Sequence, residues 1–176
     1  MGAPASVTSP MRLLLLPLLL LLSACATTAK PGSDTVFIVV RHAEKAETPA
    51  NDPPLSAAGR ARADALAAAL VDAPLRAVYA PPTRRTRETV APVARAKDLD
   101  VRDYDAARPP ADTATVLHIR HAGQQVLVVG HSNTVPALVS TLCACPVLPL
   151  DEDDYGDLYE VRIRASGEVR LTTRTF

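Results

Sequence analysis

Two short apolar runs, each ending at a histidine, constrain what this chain can fold into. Val36-Phe37-Ile38-Val39-Val40 leads into Arg41-His42, and Gln125-Val126-Leu127-Val128-Val129 leads into Gly130-His131. Continuous β-branched runs of this length belong to strands covered on both faces, the environment of a parallel sheet between helices. Helix and strand signals alternate around them. Ser56 caps a helix reading to about Val71, Ala77–Ala80 is a second strand, and a helix capped by Thr83 runs to Lys97 with a kink expected at Pro92. Val101–Tyr104 reads as a third strand, Asp112–Ala122 as a helix capped by Asp112, and Val135–Leu142 as another helix. Leu158–Ile163 and Val169–Thr173 alternate about Ser166-Gly167 and predict a closing hairpin. The expected fold is α/β, three layers in the order α/β/α with a mostly parallel sheet.

The N-terminal segment reads differently. Arg12 precedes the apolar stretch Leu13–Leu22, too short for a membrane-crossing helix of about 20 residues and of the right length for a signal-peptide core. It ends in Leu22-Ser23-Ala24-Cys25, which resembles the bacterial lipobox, so residues 1–24 are expected to be a lipoprotein signal peptide and Cys25 the lipidated residue. An ordinary signal peptide or a marginal anchor is the alternative. The charge-free stretch before Met11 points to translation starting at Met11 rather than Met1. Residues 25–34 are small and polar and read as a tether, leaving 35–176 as the folded domain. The expected location is the bacterial envelope. Ala26 after the lipidated Cys tilts the expectation toward the outer membrane, facing the periplasm.

Hydrophobic residues at 48% against 22% charged allow a real core, and nineteen basic residues cancel nineteen acidic ones. Nucleic acid is therefore not an expected partner: there is no positive field to neutralise phosphates and, with no Trp, little to stack on bases. A monomer is expected. Cys143 and Cys145 are separated by one residue; an exported compartment permits a disulfide, a ring this tight restricts it, and pairing stays open.

In doubly wound sheets ligands bind outside the carboxyl ends of the strands. His42 and His131 both fall there, with Arg41 beside one strand end and Arg85 in the first turn of a helix. Guanidinium forks and a helix N-terminus suit a phosphoryl group, and a neutral imidazole is a competent nucleophile toward phosphorus. Arg84 and Arg87 read as solvated helix charge, because residues one and two apart on a helix do not share a face. His118 and His121 read as surface residues, and the run Asp151-Glu152-Asp153-Asp154 as a solvated loop.

Val40-Arg41-His42-Ala43-Glu44-Lys45 resembles the signature of the histidine phosphatase superfamily, the phosphoglycerate mutase-like fold. Pro54–Arg60, Val78-Tyr79-Ala80 with Arg85-Thr86-Arg87-Glu88-Thr89, and Val128–Thr134 follow in the family's order. The resemblance implies a phosphatase in which His42 takes the phosphoryl group, while Arg41, Arg85 and His131 bind its oxygens, with neither cofactor nor metal needed. It implies a phosphorylated small molecule or phosphoprotein as substrate. Three departures stand out. Thr48 replaces an Asn that many members carry six residues after the nucleophile, Ser132 replaces the acid of one branch, and Asp105 is the positional candidate for the acid of the other. The short stretch between Arg85 and His131 leaves little to enclose a bulky substrate, so an open pocket is expected. The rival readings are an envelope lipoprotein that binds phosphate with weak or no turnover, and a structural envelope protein.

Overall fold

The computed structural model describes residues 1–2 and 32–176. The signal-peptide core, Cys25 and most of the tether lie outside the described residues. From Thr35 the chain runs through β1 (Thr35–Arg41), α1 (Ala57–Ala69), β2 (Leu75–Ala80), α2 (Arg84–Lys97) and β3 (Val101–Asp103). It continues through α3 (Pro110–Arg120), β4 (Gln125–Gly130), α4 (Val135–Cys143), β5 (Asp157–Ile163) and β6 (Val169–Thr175). One six-stranded sheet results, in the order β3-β2-β4-β1-β5-β6. Its first four strands are parallel, and the β5–β6 hairpin adds antiparallel to β1.

Alternation along β1 divides the core into two layers. Val36, Ile38 and Val40 pack with Leu66 of α1 and Leu70 at its C-cap, and with Val90 and Val93 of α2. Phe37 and Val39 pack on the opposite face with Ala114 and Leu117 of α3 and with Leu138 and Val139 of α4. Each fully buried side chain of this size contributes roughly 1.5–3 kcal/mol, and both faces of β1 are used. This is why the run reads as continuously apolar rather than alternating.

Several local expectations are corrected. α3 begins at Pro110, with Pro109 as its N-cap and Asp112 inside the first turn. Proline has no N–H to lose there and its φ is already helical, while Asp112 still favours the positive end of the helix. His121 is not a surface residue: it is 3% exposed, with Nε2 2.9 Å from the Tyr79 hydroxyl and Nδ1 2.8 Å from Gln124 Oε1. His118 is half-buried, its ring edge-on to Phe37 at 5.1 Å. Both histidines lie at the C-terminal end of α3, where the helix closes onto the sheet. Thr83 occupies the N-cap of α2 without a side-chain cap bond; the N–H of Arg84 is taken instead by Asp52 Oδ1 at 2.9 Å. α2 runs on through Pro92 to Lys97. Cys143 and Cys145 are joined in a disulfide with their Cα atoms 5.2 Å apart, inside the range such bridges adopt.

Candidate active site

The register of the two central strands builds the site. Arg41 of β1 pairs with Gly130 of β4, and the N–H of His42 continues the ladder by donating to the Gly130 carbonyl at 2.9 Å. The next residue on each strand is therefore a histidine, and the two imidazoles lie edge to face with centroids 5.3 Å apart. Gly130 has no room for a side chain, since a Cβ there would meet Thr134 Oγ1 at 2.9 Å.

His42 is held in one tautomer. Its Nδ1 lies 2.8 Å from the Ala43 carbonyl oxygen, and a carbonyl only accepts, so Nδ1 carries the proton and Nε2 keeps its lone pair. Arg85 Nε donates to that Nε2 at 3.3 Å. Burial pushes the His42 pKa down to about 3, the Ala43 carbonyl opposes the drop, and the charges at His131, Arg85 and Arg41 add to it. Burial, then Arg85 and Arg41, push His131 down to about 4. An Nη2–H of Arg85 points to His131 Nδ1 at 3.5 Å, which leaves the other ring nitrogen of His131 as a donor. At neutral pH both rings are uncharged, His42 with a lone pair on Nε2 and His131 with a free N–H to donate.

The first turns of α2 lock this arrangement. Thr86 Oγ1 donates to the Pro81 carbonyl at 2.7 Å and fixes the helix start from which Arg85 projects. Thr89 Oγ1 donates to the Arg85 carbonyl at 2.7 Å and accepts the N–H of Ala43 at 3.0 Å. Glu88 accepts the N–H of Leu55 at 2.7 Å, tying the loop before α1 to the same helix. Gly59 lets α1 lie directly on the segment after His42, where a Cβ would be 2.1 Å from the Glu44 carbonyl oxygen. Arg62 reaches across this contact and binds the Glu44 carboxylate at 2.6–2.9 Å. Arg84 and Arg87 are exposed and pair with Glu88 and Asp103.

Arg41 is the most enclosed cation of the site, its side chain 3% exposed. Its Nη1 donates to the carbonyls of Asp151 and Asp154 at 2.7 and 2.9 Å, and Nη2 to the Tyr155 hydroxyl at 3.3 Å. The guanidinium carbon lies 4.1 Å from the centre of the Tyr155 ring. Arg41 Nε is buried without a hydrogen-bond partner. Among the described residues it is the one buried side-chain polar atom in that condition, and it belongs to a residue expected to hold an anion.

The acidic run is thus more than a solvated loop. Its side chains are exposed, but its backbone grips Arg41, and the Glu152 carboxylate stands 3.5 Å from Arg41 Nη2 and 3.9 Å from Lys45 Nζ. On the other side, Asp52 Oδ1 is 3.9 Å from Arg85 Nη1. These two carboxylates flank the pocket, and spacing along the chain gave no sign of either. Asp105 is not among them: it is exposed and accepts from the Ala107 N–H at 2.9 Å, within its own loop. Thr48 is exposed. Beyond His131, Asn133 and Thr134 share a cavity of about 190 Å³ with Tyr104, Arg108 and Leu138. No three His, Cys, Asp or Glu side chains among the described residues are grouped to hold a metal ion.

Residues 37–108 match the family model of the histidine phosphatase superfamily, branch 1. None of the curated proteins matches the sequence. Among solved structures, the chain is similar to the protein histidine phosphatase SixA complexed with tungstate, with 21% identity over 80% of this chain and 96% of that one and a TM-score of 0.64. It is also similar to Bacillus stearothermophilus YhfR, at 18% identity over 80% and 96% with a TM-score of 0.63. A third is the mycobacterial glucosyl-3-phosphoglycerate phosphatase, at 15% identity over 81% and 98% with a TM-score of 0.62. At these identities the structural likeness establishes the fold.

Proposed function

Because residues 37–108 match the family model of the histidine phosphatase superfamily, branch 1, we propose that the protein hydrolyses a phosphate monoester or a phosphoprotein through a phosphohistidine intermediate on His42. The observation that carries this reading is the unprotonated Nε2 of a buried, neutral His42 between two arginines and a second histidine. The Nε2 lone pair attacks phosphorus in line, a P–N bond forms, and the bond to the leaving group breaks with its electron pair on the departing atom. Arg85 and Arg41 balance the charge of the equatorial oxygens, and His131 donates a hydrogen bond to them. Water then attacks the phosphorus from the opposite side, its proton leaves with solvent, and Nε2 is regenerated as inorganic phosphate departs. No step calls for a metal or a cofactor.

With Asp105 turned into its own loop, the leaving group has no proton donor from that strand end. Esters and phosphoramidates with readily expelled leaving groups are accordingly the favoured substrates. The envelope location belongs to the same proposal, with Cys25 carrying the lipid. The test is hydrolysis of an activated aryl phosphate and an alkyl phosphate by the protein and by His42→Ala, with chelator present. Chelator-resistant turnover of the aryl ester that disappears in His42→Ala supports the reading. Phosphate binding without turnover of either ester supports instead an envelope lipoprotein that only binds phosphate, a reading favoured by the absence of Asp105 from the pocket.

A further inference from the structure

Each arginine of the pocket has a carboxylate on one side: Glu152 at 3.5 Å from Arg41 Nη2 and Asp52 at 3.9 Å from Arg85 Nη1. His42 is 4% exposed and forms the floor, so a group displaced in line from its Nε2 departs outward, between these carboxylates. We infer that this rim selects phosphoryl groups whose carrier bears a positive charge near the phosphorus, such as an ammonium, guanidinium or imidazolium group. The inference rests on the phosphatase reading and adds to it the charge class of the substrate.

The acidic side of the rim is built into the fold. The Asp151 N–H donates to Asp154 Oδ2 at 2.7 Å, and the N–H of Asp154 returns to the Asp151 carbonyl at 3.2 Å. This closed turn is fastened to Arg41 by two of its own carbonyls. Glu152 is further held by the Ser132 hydroxyl, which donates to it at 3.4 Å from the residue after His131. Its side chain is nevertheless 76% exposed, so one edge of the carboxylate remains open to a ligand.

The charges decide what that ligand can be. The carboxylates of Asp52 and Glu152 face the pocket cations Arg41, Arg85 and Lys45. A dianionic phosphoryl group bound between the arginines turns this balance negative. The unpartnered Arg41 Nε–H favours an anion inside the arginines, not at the rim. A carrier with its own carboxylate or second phosphate would add like charge at the rim, whereas a cationic carrier relieves it. Lys45 offsets one rim carboxylate, and Arg108 lies in the cavity beyond Asn133, where it would reward an anionic carrier that reached so far.

The test uses the full chain and three phenyl phosphates of matched phenol acidity, carrying a distal ammonium, hydroxyl or carboxylate group. The expected order of kcat/KM is ammonium, hydroxyl, carboxylate, with steps of about threefold per unit charge, shrinking as salt is raised. In Glu152→Gln the ratio of ammonium to carboxylate ester contracts, and in Glu152→Lys it contracts further, with thermal unfolding confirming that both variants are folded. A flat or reversed order among three esters that are all turned over overturns the inference and leaves the phosphatase reading standing; a reversed order points to Arg108. A ratio unchanged in both variants also overturns it. Failure to hydrolyse even the hydroxyl ester overturns the phosphatase reading itself, and this inference with it.

Discussion

Thr89 anchors the residue that sets the His42 tautomer: its hydroxyl accepts the N–H of Ala43 at 3.0 Å, and the carbonyl of the same Ala43 fixes the proton on His42 Nδ1. One hydroxyl on α2 thereby connects the helix that carries Arg85 to the tautomer of the histidine that Arg85 faces. Removing it should affect stability and catalysis together.

Thr89→Val keeps the shape but leaves a buried N–H without an acceptor, which costs roughly 1–3 kcal/mol. The melting temperature should fall, and kcat should fall about tenfold as the His42 ring loses its fixed orientation. Thr89→Ser, which restores the acceptor, should recover most of kcat. A loss in the Ser variant with none in the Val variant would mean that the methyl group, not the hydroxyl, is what matters.

Gly59→Ala should be among the most destabilising single substitutions in the domain. The new Cβ would lie 2.1 Å from the backbone oxygen of Glu44, so α1 and the segment after His42 would have to separate. A loss of about 3 kcal/mol or more is expected in denaturant unfolding, although Ala is the better helix former. A neutral or stabilising effect would contradict the close approach.

Lowering the pH should destabilise the fold through its buried histidines. His42 and His131 have folded pKa values of about 3 and about 4, below the unfolded value of roughly 6.5, and burial also lowers His121. Between those limits the unfolded chain binds more protons. The stabilisation is therefore fully present above about pH 6.5 and is lost as pH falls toward 4 and then 3. Denaturant midpoints at pH 7, 5 and 4 should decline steadily, and His42→Asn should flatten the decline. A midpoint independent of pH over that range would refute the neutral, buried histidines.

The two strand-to-histidine junctions were readable because a strand buried on both faces leaves an unbroken apolar run, and the parallel pairing of β1 with β4 then brings their ends together without further information. The Arg85–Thr89 segment was readable only through the family resemblance, because its contacts to His42, Ala43 and Leu55 lie far along the chain. Asp105 failed because a position at a strand end does not say which way a loop carboxylate turns; a backbone N–H two residues on captured it. The grip of residues 151–155 on Arg41 was missed because it spans more than a hundred residues, and its shortest contacts are the backbone carbonyls of Asp151 and Asp154, which leave no trace in residue type. His121 was misread because its partners lie outside α3, Tyr79 on β2 and Gln124 in the turn before β4, so a pattern along α3 alone could not reveal its burial.

The lipid on Cys25 is checked in growing bacterial cells. The full chain should incorporate labelled palmitate and partition with membranes, and Cys25→Ser should do neither. Release of an unlabelled wild-type protein would return that segment to an ordinary signal peptide.

The most direct test of the account is to trap the intermediate. The protein is mixed with an excess of aryl phosphate in the presence of chelator, quenched in alkali where a phosphoramidate survives, and its phosphorylated peptide is located by mass. The account predicts one acid-labile phosphoryl group on His42, formed and discharged at rates that match turnover and absent from His42→Ala. Turnover that proceeds in His42→Ala, or a phosphoryl group found on a different residue, would contradict it.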